Sequence, residues 1–369
     1  MAEPLKNQFG EDIPKKIAGM ILTAYPAFDS AAFVRDSLDS YEPLSLTQRG
    51  WKIAHALRHY LPDDYEAAVE ILVASLGPKL DKTDVLGMTP FIYLPHVFFI
   101  ADYGLDHFEA SMLAQYELTQ RFTAEFSIRP FLEKYPESTL SRLEKWTMDR
   151  SVHVRRLVSE GTRPRLPWAP RLRRFMEDPR PVLALLELLK DDPEMYVRRS
   201  VANNLNDIGK DNPRLLVDTT RRWMKDATTE RRWLIRHALR SAVKRGEPGA
   251  LSVLGFNEDA DISIRNVSIE PKRAAIGGSV AINLEVANKN QRKLRALVDL
   301  KIHFIKANGK ASPKVFKMRA IELAPQEVIR LRKTISLADM TTRKHYPGMH
   351  KVEVLVNGSA SCIGEFELV

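Results

Sequence analysis

Arginine is concentrated in two stretches of the chain, and its spacing indicates a surface that binds a polyanion. Residues 150–174 read RSVHVRRLVSEGTRPRLPWAPRLRR, in which Glu160 is the only acid. A second stretch carries Arg198, Arg199, Arg221, Arg222, Arg231, Arg232, Arg236 and Arg240. Arginines on one face would match the phosphates that follow each other along a duplex. The alternative is solvated charge on separate helix faces.

These arginines recur with a period that predicts paired helices. Val154-Arg155-Arg156-Leu157-Val158 returns as Val197-Arg198-Arg199-Ser200-Val201 and, more weakly, as Ile235-Arg236-His237-Ala238-Leu239. A repeat of about 40 residues that holds two helices is typical of HEAT-type solenoids, whose stacked pairs leave a concave face. We therefore predict an α-helical HEAT-like repeat region with about ten to thirteen helices. The alternative is a plain helical bundle.

The last third of the sequence alternates apolar and polar residues instead. Segments such as Ser279–Lys289 and His350–Asn357 show this period, and turn sequences that contain glycine adjoin them at Gly277-Gly278 and Asn357-Gly358. About seven such strands in roughly 110 residues are typical of an immunoglobulin-like sandwich. The predicted domains are therefore residues 1–256, which are helical, and 257–369, which are all-β, joined by a short link at 257–261.

Composition indicates an ordinary globular protein with an anionic partner. The net charge is +9, while 44% of the residues are hydrophobic and 28% are charged. This surplus points to nucleic acid or to an anionic membrane surface. The single cysteine, Cys362, excludes an internal disulfide. We expect a cytoplasmic protein, because no segment is long and apolar enough to cross a bilayer and no basic amphipathic helix favours a membrane.

The sequence lacks the motifs of several catalytic classes. It has no glycine-rich phosphate loop and no Gly-x-Ser-x-Gly motif, and His and Cys never cluster at the spacing of metal ligands. We therefore expect neither a metal nor a cofactor. Any catalysis must use carboxylates, aromatic side chains and basic residues.

Five long stretches resemble the AlkC family of alkylpurine DNA glycosylases. They read PLKNQFG near the start, LTQRGWKIAHALRHYLP at 46–62, RFTAEFSIRPFL at 121–132, SVHVRRLVSEGTRPRLPW at 151–168 and YVRRSVANNLNDIGKDNP at 196–213. The resemblance covers the helical part, and the β-rich part resembles the immunoglobulin-like extension of some members. It implies hydrolysis of the N-glycosidic bond of 3-methyladenine and related cationic adducts, including 3-methylcytosine, in double-stranded DNA without a base-flipping pocket.

The resemblance also implies which residues act. The catalytic carboxylates would be Glu125, Glu160 and Asp207. Trp168 would contact the DNA near the lesion, with Arg156 close by. The other DNA-binding residues that we predict are Arg155, Arg163, Arg165, Arg198, Arg199 and Arg236.

Elementary chemistry gives a reason for carboxylates to lie in a basic groove. A carboxylate weakens phosphate binding, so it must serve another purpose there. Glycosidic cleavage develops positive charge on the sugar, which a carboxylate stabilises while it orients the attacking water. A methylated base is already a cationic leaving group and needs no general acid. The alternatives are a helix ion pair for Glu160, a solvated helix position for Glu125, a turn residue at Asp207 and a core position for Trp168.

A different class of function stays open. Helical repeats often form scaffolds, so the main alternative is a non-catalytic HEAT-repeat module that binds DNA or an acidic protein. Carboxylates inside the arginine-rich surface favour the enzyme, which we expect to be a monofunctional monomer at the bacterial nucleoid. The predicted sandwich carries Arg292, Lys293, Arg295, Arg343 and Lys344. They are equally consistent with a second DNA contact and with protection of strand edges.

Overall fold

The computed structural model describes residues 5–80, 89–256, 261–340 and 343–369. In these ranges the chain forms sixteen α-helices followed by eight β-strands, with two short 3-10 helices at Leu5–Gln8 and Thr89–Tyr93. The predicted order of helices and then strands is confirmed. The helices outnumber the predicted ten to thirteen, because helices of five or six residues are too short to show an amphipathic period. The predicted link at 257–261 lies, except for Asp261, outside the described residues.

The helices have the following bounds. They are α1 (Asp12–Ala24), α2 (Ser30–Leu38), α3 (Leu46–Tyr60), α4 (Tyr65–Ala74), α5 (Leu94–Tyr103), α6 (Phe108–Thr119), α7 (Ile128–Lys134), α8 (Pro136–Trp146), α9 (Val152–Gly161), α10 (Arg173–Glu177), α11 (Arg180–Leu189), α12 (Met195–Asp211), α13 (Pro213–Met224), α14 (Thr229–Ala238), α15 (Arg240–Arg245) and α16 (Pro248–Val253). None of the helices in the described ranges has both the length and the apolar character that a membrane span requires.

Local sequence signals determine several helix starts. Asp29 and Asp64 are the N-caps of α2 and α4, and each carboxylate accepts a hydrogen bond from the backbone N–H three residues later, at 3.0 and 2.8 Å. At the start of α3, the backbone N–H of Ser45 donates to Gln48 Oε1 at 2.9 Å. Proline occupies the first turn of α5, α8 and α11, where its missing N–H is not needed.

The two best-matched sequence repeats have the same local structure. In α9 and α12, the first arginine of the motif turns back to the carbonyl oxygens five and six residues before it. Arg155 Nη1 donates at 3.1 and 2.9 Å, and Arg198 Nη1 at 2.7 and 2.5 Å. This arginine therefore fastens the turn that begins each helix. The weaker third copy differs, since Arg236 Nε donates to the carbonyl oxygen of Arg232 instead.

The apolar positions of the repeat form the helical core. Helix α12 packs against α9, α11 and α14. Val154, Leu157, Val197, Val201 and Leu205 are fully buried between these helices. Complete burial of each such side chain contributes roughly 1.5–3 kcal/mol. This core holds α9 and α12 side by side, and both helices carry predicted site residues.

The strands form a two-sheet sandwich. They are β1 (Ile262–Glu270), β2 (Arg273–Ala274), β3 (Ser279–Asn288), β4 (Leu294–Ile305), β5 (Ala311–Leu323), β6 (Val328–Ser336), β7 (Gly348–Val356) and β8 (Ser359–Leu368). The sheet orders are β1-β3-β6 and β2-β8-β7-β4-β5, and only the short β2–β8 pair is parallel. Alternating residues such as Ile282, Leu284, Val352 and Val354 form one apolar core between the sheets.

The described residues divide into two compact units. One contains the described residues up to Asn212 together with Ala227–Ala238, and the other contains Pro213–Asp226 and the described residues from Leu239 to Val369. Helices α13, α15 and α16 therefore belong to the same unit as the strands. The change from helix to strand falls between Val253 and Ile262, and the domain boundary at residue 256 stays a prediction.

Candidate active site

A cavity of about 410 Å³ lies in the helical unit, and five of the predicted site residues line it. Its wall combines the turn before α7, one face of α9, the segment after α9 and the start of α12. The predicted residues that line it are Glu125, Arg156, Glu160, Arg163 and Trp168. We call this space the cavity.

Glu125 lies in the turn between α6 and α7, not on a helix face. Thr123 Oγ1 donates to Glu125 Oε2 at 2.9 Å and accepts the backbone N–H of Glu125 at 3.2 Å. Only 14% of the Glu125 side chain is exposed. The alternative of a solvated helix position is therefore wrong, because the turn directs this carboxylate into the cavity.

Arg156, on α9, lies between two carboxylates. Its Nη1 is 2.6 Å from Glu125 Oε2, and its Nη2 is 3.7 Å from Glu160 Oε1. The guanidinium also lies over the Tyr196 ring, 5.4 Å from the centroid. A guanidinium held by two acids and an aromatic face has a defined orientation.

Arg163 extends the alternation of charge from Glu160, which lines the cavity, to Asp207, which does not. Its Nη1 is 2.6 Å from Glu160 Oε1, and its Nη2 is 2.8 Å from Asp207 Oδ2. The other Asp207 oxygen pairs with Lys210 Nζ at 2.7 Å. Ser200 Oγ donates to Glu160 Oε2 at 2.6 Å. The result is a row of alternating charges, Glu125–Arg156–Glu160–Arg163–Asp207–Lys210, which we call the charge row.

The charge row keeps its central members ionised. Burial alone would raise the pKa of Glu160, but Arg156 and Arg163 outweigh it and lower that pKa below its ordinary value. Burial likewise opposes the charge on Arg156, yet Glu125 and Glu160 raise the Arg156 pKa. Fixed charges of both signs therefore persist at buried positions beside the cavity.

The three predicted catalytic acids differ in how their oxygens are bound. Both oxygens of Glu160 and both of Asp207 have partners, and Asp207 is only 1% exposed and does not line the cavity. Glu125 Oε2 is bound, whereas no side chain or backbone group of the described ranges bonds Glu125 Oε1. Glu125 Oε1 is thus the carboxylate oxygen of the three that a substrate or a water can reach.

Trp168 lies in the segment of residues 162–172, between α9 and α10, which we call the Trp168 segment. Its side chain is 66% exposed, at the edge of the cavity. Its φ of 64° is in the left-handed region, which costs a bulky residue on the order of 1–3 kcal/mol. An exposed indole on a strained backbone is typical of a contact residue, and the alternative of a core position is wrong.

The predicted phosphate-binding arginines fall into two groups. Arg155 pairs with Asp192 at 2.6 Å and Arg165 with Asp211 at 2.5 Å, while Arg198 is buried and donates to backbone carbonyls. Arg163 is held in the charge row. These four, and Arg156 in the charge row, are committed to the protein's own groups. The exposed members of the set are Arg199 and Arg236.

Other residues of the site were missed by sequence reasoning. Phe122 and Phe126 flank Glu125 in RFTAEFS and line the cavity, as does Tyr196, which precedes the second arginine motif. Aromatic residues beside a motif acid were the available signal. Within the described ranges, no group of three or more His, Cys, Asp or Glu side chains is arranged to bind a metal.

Comparison with known proteins gives three findings. Residues 263–369 match the family model described as the C-terminal Ig-like domain of the uncharacterised protein YhaZ. YhaZ of Bacillus subtilis (strain 168) is 34% identical over 365 residues, which is 99% of either chain. A solved structure, Pseudomonas fluorescens alkylpurine DNA glycosylase AlkC bound to DNA containing an abasic site analog, is 36% identical, with a TM-score of 0.91 and 100% coverage of both chains. The predicted fold class is confirmed.

Proposed function

Because the chain belongs to the AlkC family of alkylpurine DNA glycosylases, as a member with a C-terminal immunoglobulin-like domain, we propose that it removes cationic alkylated bases from duplex DNA. The proposed substrates are 3-methyladenine and, secondarily, 3-methylcytosine. One observation carries the proposal: Glu125 presents a free carboxylate oxygen to the cavity beside the exposed Trp168. We assign the helix pairs to HEAT-like repeats that bind the duplex.

In this mechanism Glu125 faces the sugar of the damaged nucleotide. Cleavage of the glycosidic bond leaves positive charge on the sugar ring, and a carboxylate with one free oxygen stabilises it or orients the attacking water. Arg156 and Thr123 hold the other oxygen of Glu125 and so fix its direction. Glu160 and Asp207 keep Arg156 and Arg163 in place, and their negative charge adds to the field at the sugar.

We propose simple hydrolysis, which leaves an abasic site. A glycosylase that also cuts the backbone uses an amine to form a Schiff base with the sugar. Among the described residues that line the cavity there is no lysine, and the ammonium of Lys210 is held by Asp207. The cationic base leaves without being protonated, so the reaction that we propose needs no general acid.

We further propose that the damaged base stays in the duplex. An enzyme that extrudes a base reads its edge with free hydrogen-bonding groups. The Arg156 and Arg163 guanidinium groups in the cavity are instead bound to the carboxylates of the charge row. The protein would act as a monomer on cytoplasmic, nucleoid DNA.

The test is base release from methylated duplex DNA, with the released bases identified by mass spectrometry. We expect 3-methyladenine in solution and strand cleavage only after alkaline treatment. Glu125→Gln should abolish most of the release, whereas Glu109→Gln, at an exposed acid that pairs with Arg142, should not. Tight binding to the duplex without base release would favour the non-catalytic scaffold.

A further inference from the structure

Arg129, on α7, lies next to the site but is part of no ion pair among the described residues. Its side chain is 4% exposed and donates to three backbone carbonyl oxygens. Nη1 bonds Gly161 at 3.1 Å and Arg163 at 2.8 Å, and Nη2 bonds Pro170 at 2.5 Å. These carbonyls belong to the end of α9 and to both halves of the Trp168 segment.

A guanidinium that is buried without a carboxylate partner lowers the stability of the fold, so its presence requires an explanation. Burial lowers the pKa of Arg129 to about 10, and within the described ranges Arg129 Nε is buried without a hydrogen-bond partner. Carbonyl oxygens compensate a buried cation less well than a carboxylate does. The reason to keep Arg129 must therefore lie in the backbone that it holds.

That backbone needs an external support. Trp168 adopts a φ of 64°, and a strained residue persists only when its surroundings enforce its conformation. Inside the segment, the N–H of Leu172 donates to the carbonyl of Pro164 at 3.1 Å. Arg163 and Arg165 tie the segment to α12 through Asp207 and Asp211, and the guanidinium of Arg129 adds a link to α7 that bonds the backbone itself.

The end of α9 is built to meet Arg129. A Cβ atom on Gly161 would lie 2.5 Å from Ile128 Cγ2, so only glycine lets α9 approach α7 this closely. Ile128 precedes Arg129, and this approach brings the Gly161 carbonyl within reach of the guanidinium.

We propose that Arg129 is a positioning residue that holds the Trp168 segment and so presents the Trp168 indole to the damaged DNA. This inference rests on the proposed function, in which Trp168 touches DNA near the lesion. Arg129 itself does not touch the substrate. A planar guanidinium reaches three carbonyls in fixed directions, which the single ammonium of a lysine cannot do.

The chain offers a matched control in Arg49, on α3. Arg49 is 6% exposed, donates to the carbonyls of Lys6, Phe9 and Glu42, and also has a buried Nε without a partner. It holds backbone that does not line the cavity. Arg49→Lys therefore reproduces the general cost of changing such an arginine without touching the Trp168 segment.

The first measurement is amide hydrogen exchange, which does not depend on activity. In Arg129→Lys, the peptide that covers residues 162–172 should exchange at least about tenfold faster than in the wild type, including the Leu172 amide. Arg49→Lys should leave this peptide unchanged. Equal protection of the segment in Arg129→Lys and the wild type would overturn the proposal. Arg129→Gln, which keeps two donors, replaces Arg129→Lys if that variant does not fold.

The second measurement is a double-mutant cycle on single-turnover base release. Arg129→Lys and Trp168→Ala should each slow release roughly tenfold to a hundredfold, and the double variant should be no slower than Trp168→Ala. Arg49→Lys should combine with Trp168→Ala independently. Independent effects of Arg129→Lys and Trp168→Ala would show that Arg129 acts elsewhere. If the wild type releases no base, the proposed function is wrong. The hydrogen-exchange result then still shows whether Arg129 holds the Trp168 segment in place.

Discussion

Glu125, Glu160 and Asp207 are three acids of one charge row with different tasks. Glu125 has a free oxygen at the cavity, Glu160 bridges two arginines, and Asp207 is buried behind Arg163. A substrate contact is therefore expected at Glu125. We expect Glu160 and Asp207 to act through the arginines that they hold.

We predict that Glu125→Gln, Glu160→Gln and Asp207→Asn each slow single-turnover base release on the order of a hundredfold, since loss of one preorganised charge costs ~3 kcal/mol of barrier. Affinity for duplex DNA should stay equal or increase, because each change removes negative charge. Wild-type rates in all three variants would exclude these acids.

Thermal unfolding separates the direct acid from the supporting ones. Glu160→Gln leaves Arg156 and Arg163 with one counter-charge fewer in a buried site, so its melting temperature should fall. Glu125→Gln removes a counter-charge from Arg156 alone, so it should lower the melting temperature less than Glu160→Gln does. The opposite order would mean that Glu125 is the structural acid.

Helices α9 and α12 use the two arginines of their shared motif differently. Arg155 and Arg198 fasten the turn before the helix, whereas Arg156 enters the charge row and Arg199 is exposed. The first arginine of the motif therefore fastens the turn before its helix, whereas the second one points to surroundings that differ between the two copies.

We predict that Arg199→Ala and Arg236→Ala weaken binding to damaged and undamaged duplex alike. Each lost phosphate contact should reduce the slope of log affinity against log salt by about 1. Arg198→Ala is the control, since it should lower the melting temperature and leave the slope unchanged. An unchanged slope for both exposed arginines would place this face away from DNA.

Helix α5 contains a buried histidine, His96, whose ring nitrogens have no hydrogen-bond partner among the residues that the structure describes. Burial lowers the pKa of His96 from 6.5 to about 4. The unfolded chain therefore binds the proton more readily, so this contribution to stability is complete above pH 6.5 and is lost as the pH falls toward 4.

The predicted loss from His96 is about 2 kcal/mol of unfolding free energy between pH 7 and pH 5. His96→Leu should remove this part of the pH dependence, because leucine cannot take up the proton. Urea unfolding of both proteins at pH 7 and pH 5 measures it. An identical pH dependence in the variant would show that His96 is protonated equally well in the folded chain.

The positively charged side chains of the sandwich differ in whether an acid pairs with them. Lys293 pairs with Glu322 at 2.5 Å. Arg343 lies over the rings of Phe304 and Phe316, at 5.7 and 5.9 Å, and forms no ion pair within the described residues. Burial and the neighbouring cations lower the pKa of Lys314; these cations are Arg343, Lys244 and Lys306. Uncompensated cations over aromatic rings favour a polyanion contact above edge protection.

We predict that the combined variant Lys306→Gln, Lys314→Gln and Arg343→Gln binds both damaged and undamaged duplex more weakly, with a shallower salt dependence. Its melting temperature should not fall, because the changes relieve repulsion. Lys293→Gln, at a paired lysine, is the control. Unchanged affinity would leave the sandwich without a role in DNA binding.

Truncation after Phe256 is a weaker test of the same idea. Arg295 Nη1 donates to the carbonyl of Leu254 at 3.0 Å, and its guanidinium lies over the Phe256 ring. Helices α15 and α16 belong to the same compact unit as the strands, so removing the strands would expose a surface that they normally cover.

Periodicity predicted the order of elements, and motif content predicted several residues that line the cavity. Apolar spacing is a local property, so the helices that end at Val253 and the strands that begin at Ile262 follow from the sequence alone. The family motifs predicted Glu125, Glu160 and Trp168, which all line the cavity. These signals lie within a few residues of the side chains that they concern.

The partners of each charged side chain depended on the tertiary structure. Arg155 meets Asp192, Arg163 meets Asp207 and Arg129 meets Pro170, at sequence separations of 37, 44 and 41 residues. An arginine has the same sequence signature whether it binds a phosphate, an acid or a carbonyl. The stacking of neighbouring helices decides which of these groups lies close to a given arginine. A buried charge without a partner is unfavourable, so each buried arginine pairs with the polar group that packing places beside it.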